Sequence, residues 1–293
     1  MRRKWHPWTP EVLPAHQVQW PRCVERRTAH VATGWTPQGV PVAECERVNE
    51  RGITVALLGP LEVRRDGVSV RLAGGRVRTL LALLAVSASD TVPVQRLASA
   101  LWGEDLPVNV RRSVQTLVTR LRRALGSHMV STMPGGYRLD VEPDRIDVLR
   151  FRRLLAEAGR ARDAAEERRL VVEALALWRG PPFESIDSDW LRTAESAYLI
   201  ESYLGAIERR IDLDLAEGRH HELIAELMRL TSHHPLRESL WERLLVALGR
   251  CGRPAEALAS YERLRRSLAD ELGIDPSAEL RRIHASLLRA RTP

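Results

Sequence analysis

The chain has 293 residues, 44% of them apolar and 28% charged, with a net charge of +7. That length predicts about two domains of ~150 residues, each able to bury a core, and no apolar run approaches the ~20 residues needed to cross a bilayer. Three cysteines (Cys23, Cys45, Cys251) match no paired metal or redox spacing, which excludes a disulfide framework. The basic start, Arg2, Arg3 and Lys4, runs at once into His6 and Pro7, so no signal peptide is expected and the chain is expected in the cytoplasm.

The positive charge is uneven. Residues 51–142 hold 13 Arg against 7 acidic groups, whereas residues 143–293 hold 25 Arg against 26. A basic segment beside a neutral one is the footprint of a nucleic-acid-binding domain joined to a partner domain.

In chain order, residues 1–50 carry four of the eight Trp and no period, which predicts a disordered tail. The alternatives are a Trp-rich interaction arm or a translation start near Val48. From Ile53, ITVALLGPLEVRR reads as one β-strand, Asp66-Gly67 as a hairpin turn and VSVRL as a second strand. Residues 76–86 form an apolar helix entered through Gly74-Gly75, and residues 93–102 a shorter one stopped at Gly103. The loop that follows ends at Pro107.

A third helix spans Arg111 to Leu125. At about 100° per residue, Val114, Leu117, Val118, Leu121 and Leu125 share one stripe, the mark of a helix with one buried face. The other face carries Arg111, Arg112, Gln115, Thr116, Thr119, Arg120 and Arg123, and the stretch has no acidic residue. Arg grips guanine edges or phosphates, Gln pairs with adenine, and Thr offers a hydroxyl or a methyl. Two short strands, Val130–Thr132 and Tyr137–Val141, then flank Pro134-Gly135-Gly136 as a closing hairpin.

Strands, three helices with the third one basic, and a hairpin describe a winged helix-turn-helix whose third helix enters the major groove. Gly136, Tyr137 and Arg138 would form the wing, and Arg76 and Arg78 would lie near phosphates. Glycines at 135 and 136 also suit any tight turn.

A linker begins at Pro143, and everything after Asp147 reads as helix: 147–161, 164–178, 188–216, 220–232, 236–250, 254–271 and 276–290. Glu217-Gly218-Arg219 recurs as Cys251-Gly252-Arg253 at an offset of 34, with Glu222 and Glu256, Ala225 and Ala259, and Leu230 and Leu264 in register. That period is the tetratricopeptide signature, and such repeats stack into partner-binding surfaces. The expected fold is mostly α with a small β component. It comprises a winged helix-turn-helix domain at 51–142 and an all-α tetratricopeptide-like repeat domain at 143–293.

No catalytic constellation, metal site or cofactor is expected. No nucleophile has a base at usable spacing. Ser185, Asp187, Ser188 and Asp189 read as N-caps for the helix that contains Trp190. His220-His221 and His233-His234 bracket one short helix, where polar residues collect. Gly74-Gly75-Arg76 lacks the rest of a phosphate loop. Trp102, Trp178, Trp190 and Trp241 read as core residues.

The runs LLGPLEV, GGRVRTLLALLAV, VQRLASALWGEDLP, RRSVQTLVTRLRRALG, MPGGYRLDV and IDVLRFRRLLAEA resemble the Streptomyces antibiotic regulatory protein family. ALALWRGPPF, WLRTAE and ELGIDPSAEL resemble that family's bacterial transcriptional activation domain, and the likeness spans about residues 53–290. The resemblance implies an OmpR-type winged helix and a tetratricopeptide-like activation domain. It further implies dimeric binding to promoter direct repeats and recruitment of RNA polymerase holoenzyme to an antibiotic gene cluster. It maps a polymerase-facing loop onto about Gly103–Val110, including Gly103, Glu104 and Asp105. Larger relatives carry an ATPase module and further repeats, so a small pathway-specific member is expected.

The expected partners are therefore double-stranded DNA and RNA polymerase, with a homodimer on DNA because one winged helix reads few base pairs. Two other readings stand beside this one: a ligand-controlled repressor, and a repeat-based interaction protein that does not bind DNA. RNA is disfavoured because the aromatic platform that single strands need is missing.

Overall fold

In a computed structural model of the chain, residues 52–289 are described. The expectations for the tail and for a start near Val48 fall outside them. The described residues are mostly helical, with two small antiparallel sheets.

β1 (Ile53–Ala56) pairs with β2 (Glu62–Arg65), which turns through Asp66-Gly67 into β3 (Val68–Ser69). The expected single strand from Ile53 to Arg65 is thus broken, because Pro60 cannot donate to a sheet ladder. The second arm is only two residues long, and its Val68 is exposed. Between β1 and β2, Leu57 and Leu58 leave the sheet and are fully buried.

Their backbone groups are completely engaged. The Leu57 and Leu58 amides donate to the Asp147 carboxylate at 2.7 and 2.8 Å, and their carbonyls accept from Phe183 and Arg179 at 2.9 and 2.8 Å. Buried main-chain polar groups need such partners, and here side chain and distant backbone supply what a ladder would. Burial pushes the Asp147 carboxyl above its ordinary value, against the pull of the Leu58, Leu57 and Val148 amides and the Arg179 guanidinium.

α1 (Gly75–Val86) is buried along nearly its whole length, from Val77 through Val86 with only Arg78 partly open. α2 (Val94–Trp102) and α3 (Val110–Leu125) pack on it. The second sheet has the order β4-β6-β5, with β4 at Val92–Pro93, β5 at Val130–Met133 and β6 at Gly136–Leu139. β4 was not anticipated; two residues, one of them proline, show no period.

The expected linker is packed structure. A 3-10 turn at Pro143–Arg145 leads to Ile146, which is fully buried and bridges Val55 in parallel. α4 (Asp147–Ala158) follows, and its Phe151 meets Trp178 edge-on at 5.4 Å. The capping expectation for residues 185–189 is corrected as well. Ser185 accepts from the Leu61 amide, Ser188 donates to the Ala100 carbonyl, and Asp187 and Asp189 pair with Arg192.

Two compact units divide the described residues. The first runs to Arg160 and adds Glu173–Ser202; the second is Ala161–Val172 and everything from Tyr203 on. Both α5 (Ala164–Leu175) and α6 (Ser196–Ala216) contribute to each. The expected helix from 188 opens as a wider π-turn at Leu191–Glu195 before α6 begins.

The second unit continues with α7 (His220–His233), α8 (Glu238–Arg250), α9 (Pro254–Leu272) and α10 (Ala278–Arg289). Gly218 and Gly252, 34 residues apart, end two turns at φ of 81° and 70°, a conformation that glycine adopts without penalty. The same offset relates buried pairs on both sides of the turn: Ile211 with Leu245, Leu223 with Ala257, and Leu227 with Tyr261. The repeat therefore lies in the core as well as in the turns. Asp214, buried at α6, is held by Arg168, Arg210 and Arg219.

Candidate nucleic-acid interface

The stripe predicted to anchor α3 is the buried one: Val114, Leu117, Val118, Leu121 and Leu125 all lie in the core. The seven side chains expected on the other face, Arg111, Arg112, Gln115, Thr116, Thr119, Arg120 and Arg123, are all exposed. Asn109 caps the helix, its side chain accepting from the Arg112 amide at 3.0 Å, and this fixes where the face begins. Thr116 and Thr119 donate their hydroxyl protons to the carbonyls one turn back.

Arg122, at the edge of that face, does a different job from its neighbours. Its guanidinium donates to the Val130 carbonyl through Nε and Nη2 (2.9 and 2.6 Å) and to Thr132 Oγ1 at 2.8 Å. It ties α3 to the first strand of the hairpin, so helix and wing keep a fixed mutual orientation. Sequence periodicity carried no sign of this, because the partner is a backbone oxygen of another element.

Two wing expectations are corrected. Gly136 and Tyr137 are buried rather than presented at the surface. At Gly136 a Cβ would fall 2.2 Å from the Val92 carbonyl oxygen, so glycine is what lets β4 and β6 approach. Tyr137 is half of the register pair with Val92 in the same sheet. Arg138 is partly exposed, and its Nε bonds Asp140 Oδ1 at 2.7 Å, while Asp140 also accepts from Ser131. Partial burial pushes the Asp140 carboxyl up, but the bonds from Ser131 and Arg138 outweigh it and its pKa lies below the ordinary value.

Arg76 is exposed with its guanidinium 5.9 Å from the Trp102 ring centroid, and Arg96 lies 5.2 Å from that of Trp190. Trp102 and Trp190 are therefore half-buried rings under cations, whereas Trp178 and Trp241 are buried, the latter with the Arg263 guanidinium 6.0 Å from its ring centroid. Arg78 is half-buried, its Nε enclosed with no hydrogen-bond partner among the described residues. The loop after α2 exposes Gly103, Glu104 and Asp105, and beyond them the apolar Leu106 and Val108. The last two were not singled out by the sequence, although apolar side chains in a loop are the visible signal.

The histidine pairs sit at opposite ends of α7, about 20 Å apart at 1.5 Å per residue, which one metal ion cannot span. Among the described residues no helix is long and apolar enough to cross a membrane.

Comparison with known proteins agrees with this geometry. Residues 70–139 match the family model described as transcriptional regulatory protein, C terminal, and residues 146–288 match the bacterial transcriptional activator domain. The regulatory protein DnrI of Streptomyces peucetius is 38% identical over 250 residues, covering 80% of this chain and 92% of its own. The chain belongs to the Streptomyces antibiotic regulatory protein family.

Other members of this family are longer. The regulatory protein AfsR of Streptomyces griseus is 38% identical over 237 residues, and this chain spans only 24% of its length. A solved structure of Mycobacterium tuberculosis EmbR, in complex with a low affinity phosphopeptide, superposes with a TM-score of 0.77 at 33% identity. It covers 83% of this chain and 67% of its own. The family resemblance read from the ordered runs is thereby established, and the chain is a DNA-binding transcriptional regulator rather than an enzyme.

Proposed function

We propose that this member of the family is a sequence-specific activator of a secondary-metabolite gene cluster. It acts in the cytoplasm as a homodimer on promoter direct repeats and recruits RNA polymerase holoenzyme. The observation that carries the proposal is α3: five apolar residues buried on one stripe, seven outward side chains on the other, and no carboxylate among them. A duplex major groove offers acceptor edges and a polyanionic rim, and this face is complementary to both.

In this reading Arg112, Gln115, Thr116, Thr119 and Arg123 face base edges. Arg111, Arg120, Arg76, Arg78 and Arg138 lie nearer phosphates, and Gly136 and Tyr137 shape the wing from inside. Residues 51–142 bind DNA and residues 143–293 serve activation, which the activator-domain match over 146–288 supports. The exposed loop from Gly103 through Glu104, Asp105, Leu106 and Val108 meets the polymerase, its acids and apolar tips being unsuited to a phosphate backbone.

The test is footprinting of the purified full chain on the promoters flanking its own gene, followed by run-off transcription with polymerase holoenzyme. Protection of two spaced half-sites and increased transcript are expected. Protection no better than on random competitor, or transcript that only falls, would overturn the proposal.

A further inference from the structure

Two residues on the outward face of α3 have already committed their donors. Thr116 Oγ1 donates to the Arg112 carbonyl and Thr119 Oγ1 to the Gln115 carbonyl, each at 2.9 Å. A hydroxyl has a single proton, so neither threonine has one to give to a base while these bonds stand. What each exposed side chain still offers is a methyl group and an oxygen that accepts. Around them, Arg112, Arg120 and Arg123 are pure donors, and Gln115 supplies both functions.

Thymine is the base that displays a methyl group in the major groove. We infer that Thr116 and Thr119 are specificity-determining residues that recognise thymine 5-methyl groups by apolar contact, while the flanking arginines take guanine edges. The inference rests on the proposed DNA-binding reading and adds to it the chemistry of the bases read. Residues three apart on a helix have Cβ atoms ~5–6 Å apart, and stacked base pairs are ~3.4 Å apart. The two methyls therefore meet thymines no more than two base steps from each other.

The experiment starts from duplexes enriched out of a random pool by the full chain. Each thymine of the enriched site is replaced singly by deoxyuridine, which deletes only the 5-methyl group, and affinity is measured with the unaltered protein. One or two positions per half-site should lose about three- to fivefold, the worth of one buried methyl. Thr116→Val and Thr119→Val keep a methyl without the hydroxyl and should still lose affinity when deoxyuridine stands at the matching position. Thr116→Ser and Thr119→Ser keep the hydroxyl without the methyl; they should weaken binding and become indifferent to deoxyuridine at the matching position. Uniform tolerance of deoxyuridine, or binding kept by serine and lost by valine, overturns this inference alone. Failure to enrich any sequence overturns it together with the reading beneath it.

Discussion

Arg138 and Asp140, two residues apart at the end of the wing, are joined by a 2.7 Å bond from Nε to Oδ1. The cation that the hairpin would lend to a phosphate is thus held by an internal carboxylate, which Ser131 also holds. Asp140→Asn should release it, so that affinity for any duplex rises and the salt dependence steepens by about one phosphate contact. Arg138→Ala should weaken all sequences alike and remove the gain in the double variant. Titration of the two single variants and the double variant between low and moderate salt measures this.

The same pair has a pH signature. Because the folded Asp140 carboxyl stands below its ordinary value, its stabilising effect is complete above about pH 4 and is lost as pH falls through the depressed value. With both side chains partly exposed, the effect is under about 1 kcal/mol. Urea unfolding of the unaltered chain and of Asp140→Asn should differ at neutral pH and converge near pH 2.

Gly136→Ala should be severe. The added Cβ meets the Val92 carbonyl oxygen at 2.2 Å, and backbone cannot swing aside as a side chain can. Separating β4 from β6 should cost about 3 kcal/mol. Thermal unfolding reads the loss, and hydrogen exchange should place its centre at residues 92–93 and 136–139. A melting temperature unchanged by the variant would contradict the close approach.

Asp147→Ala should destabilise the first unit by at least about 2 kcal/mol, since it leaves the Leu57 and Leu58 amides buried without acceptors. Asp147→Asn keeps one acceptor oxygen and should lose less. Denaturant midpoints should be highest for the unaltered chain, lower for Asp147→Asn and lowest for Asp147→Ala.

Substituting both Leu106 and Val108 with Ser should leave DNA affinity unchanged, because neither side chain lies on the α3 face. If the loop meets polymerase, the same variant should lose most of its transcriptional stimulation. Loss of DNA binding in parallel would assign the loop to folding or to DNA instead.

Arg112→Ala or Arg123→Ala should relax base preference by about 1–3 kcal/mol at one position each, whereas loss of a phosphate contact lowers all sequences together. Competition between the enriched site and single-base variants separates the two outcomes.

What the sequence by itself determined was whatever recurs at short range. The α3 face was legible because a 3.6-residue period separates Val114, Leu117, Val118, Leu121 and Leu125 from the seven polar side chains, and the separation holds in space. The 34-residue offset likewise carried through from Gly218 and Gly252 to the buried pairs beside them. The ordered motifs, taken together, were enough to place the chain in its family. Tertiary structure alone decided how groups remote in sequence meet. The Asp147 carboxylate serves amides ninety residues away, Arg122 reaches a backbone carbonyl of the next element, and Val92 closes on Gly136. None of these has a period, because a hydrogen bond or a steric contact is set by position in space, and a local pattern records only which side of an element faces inward.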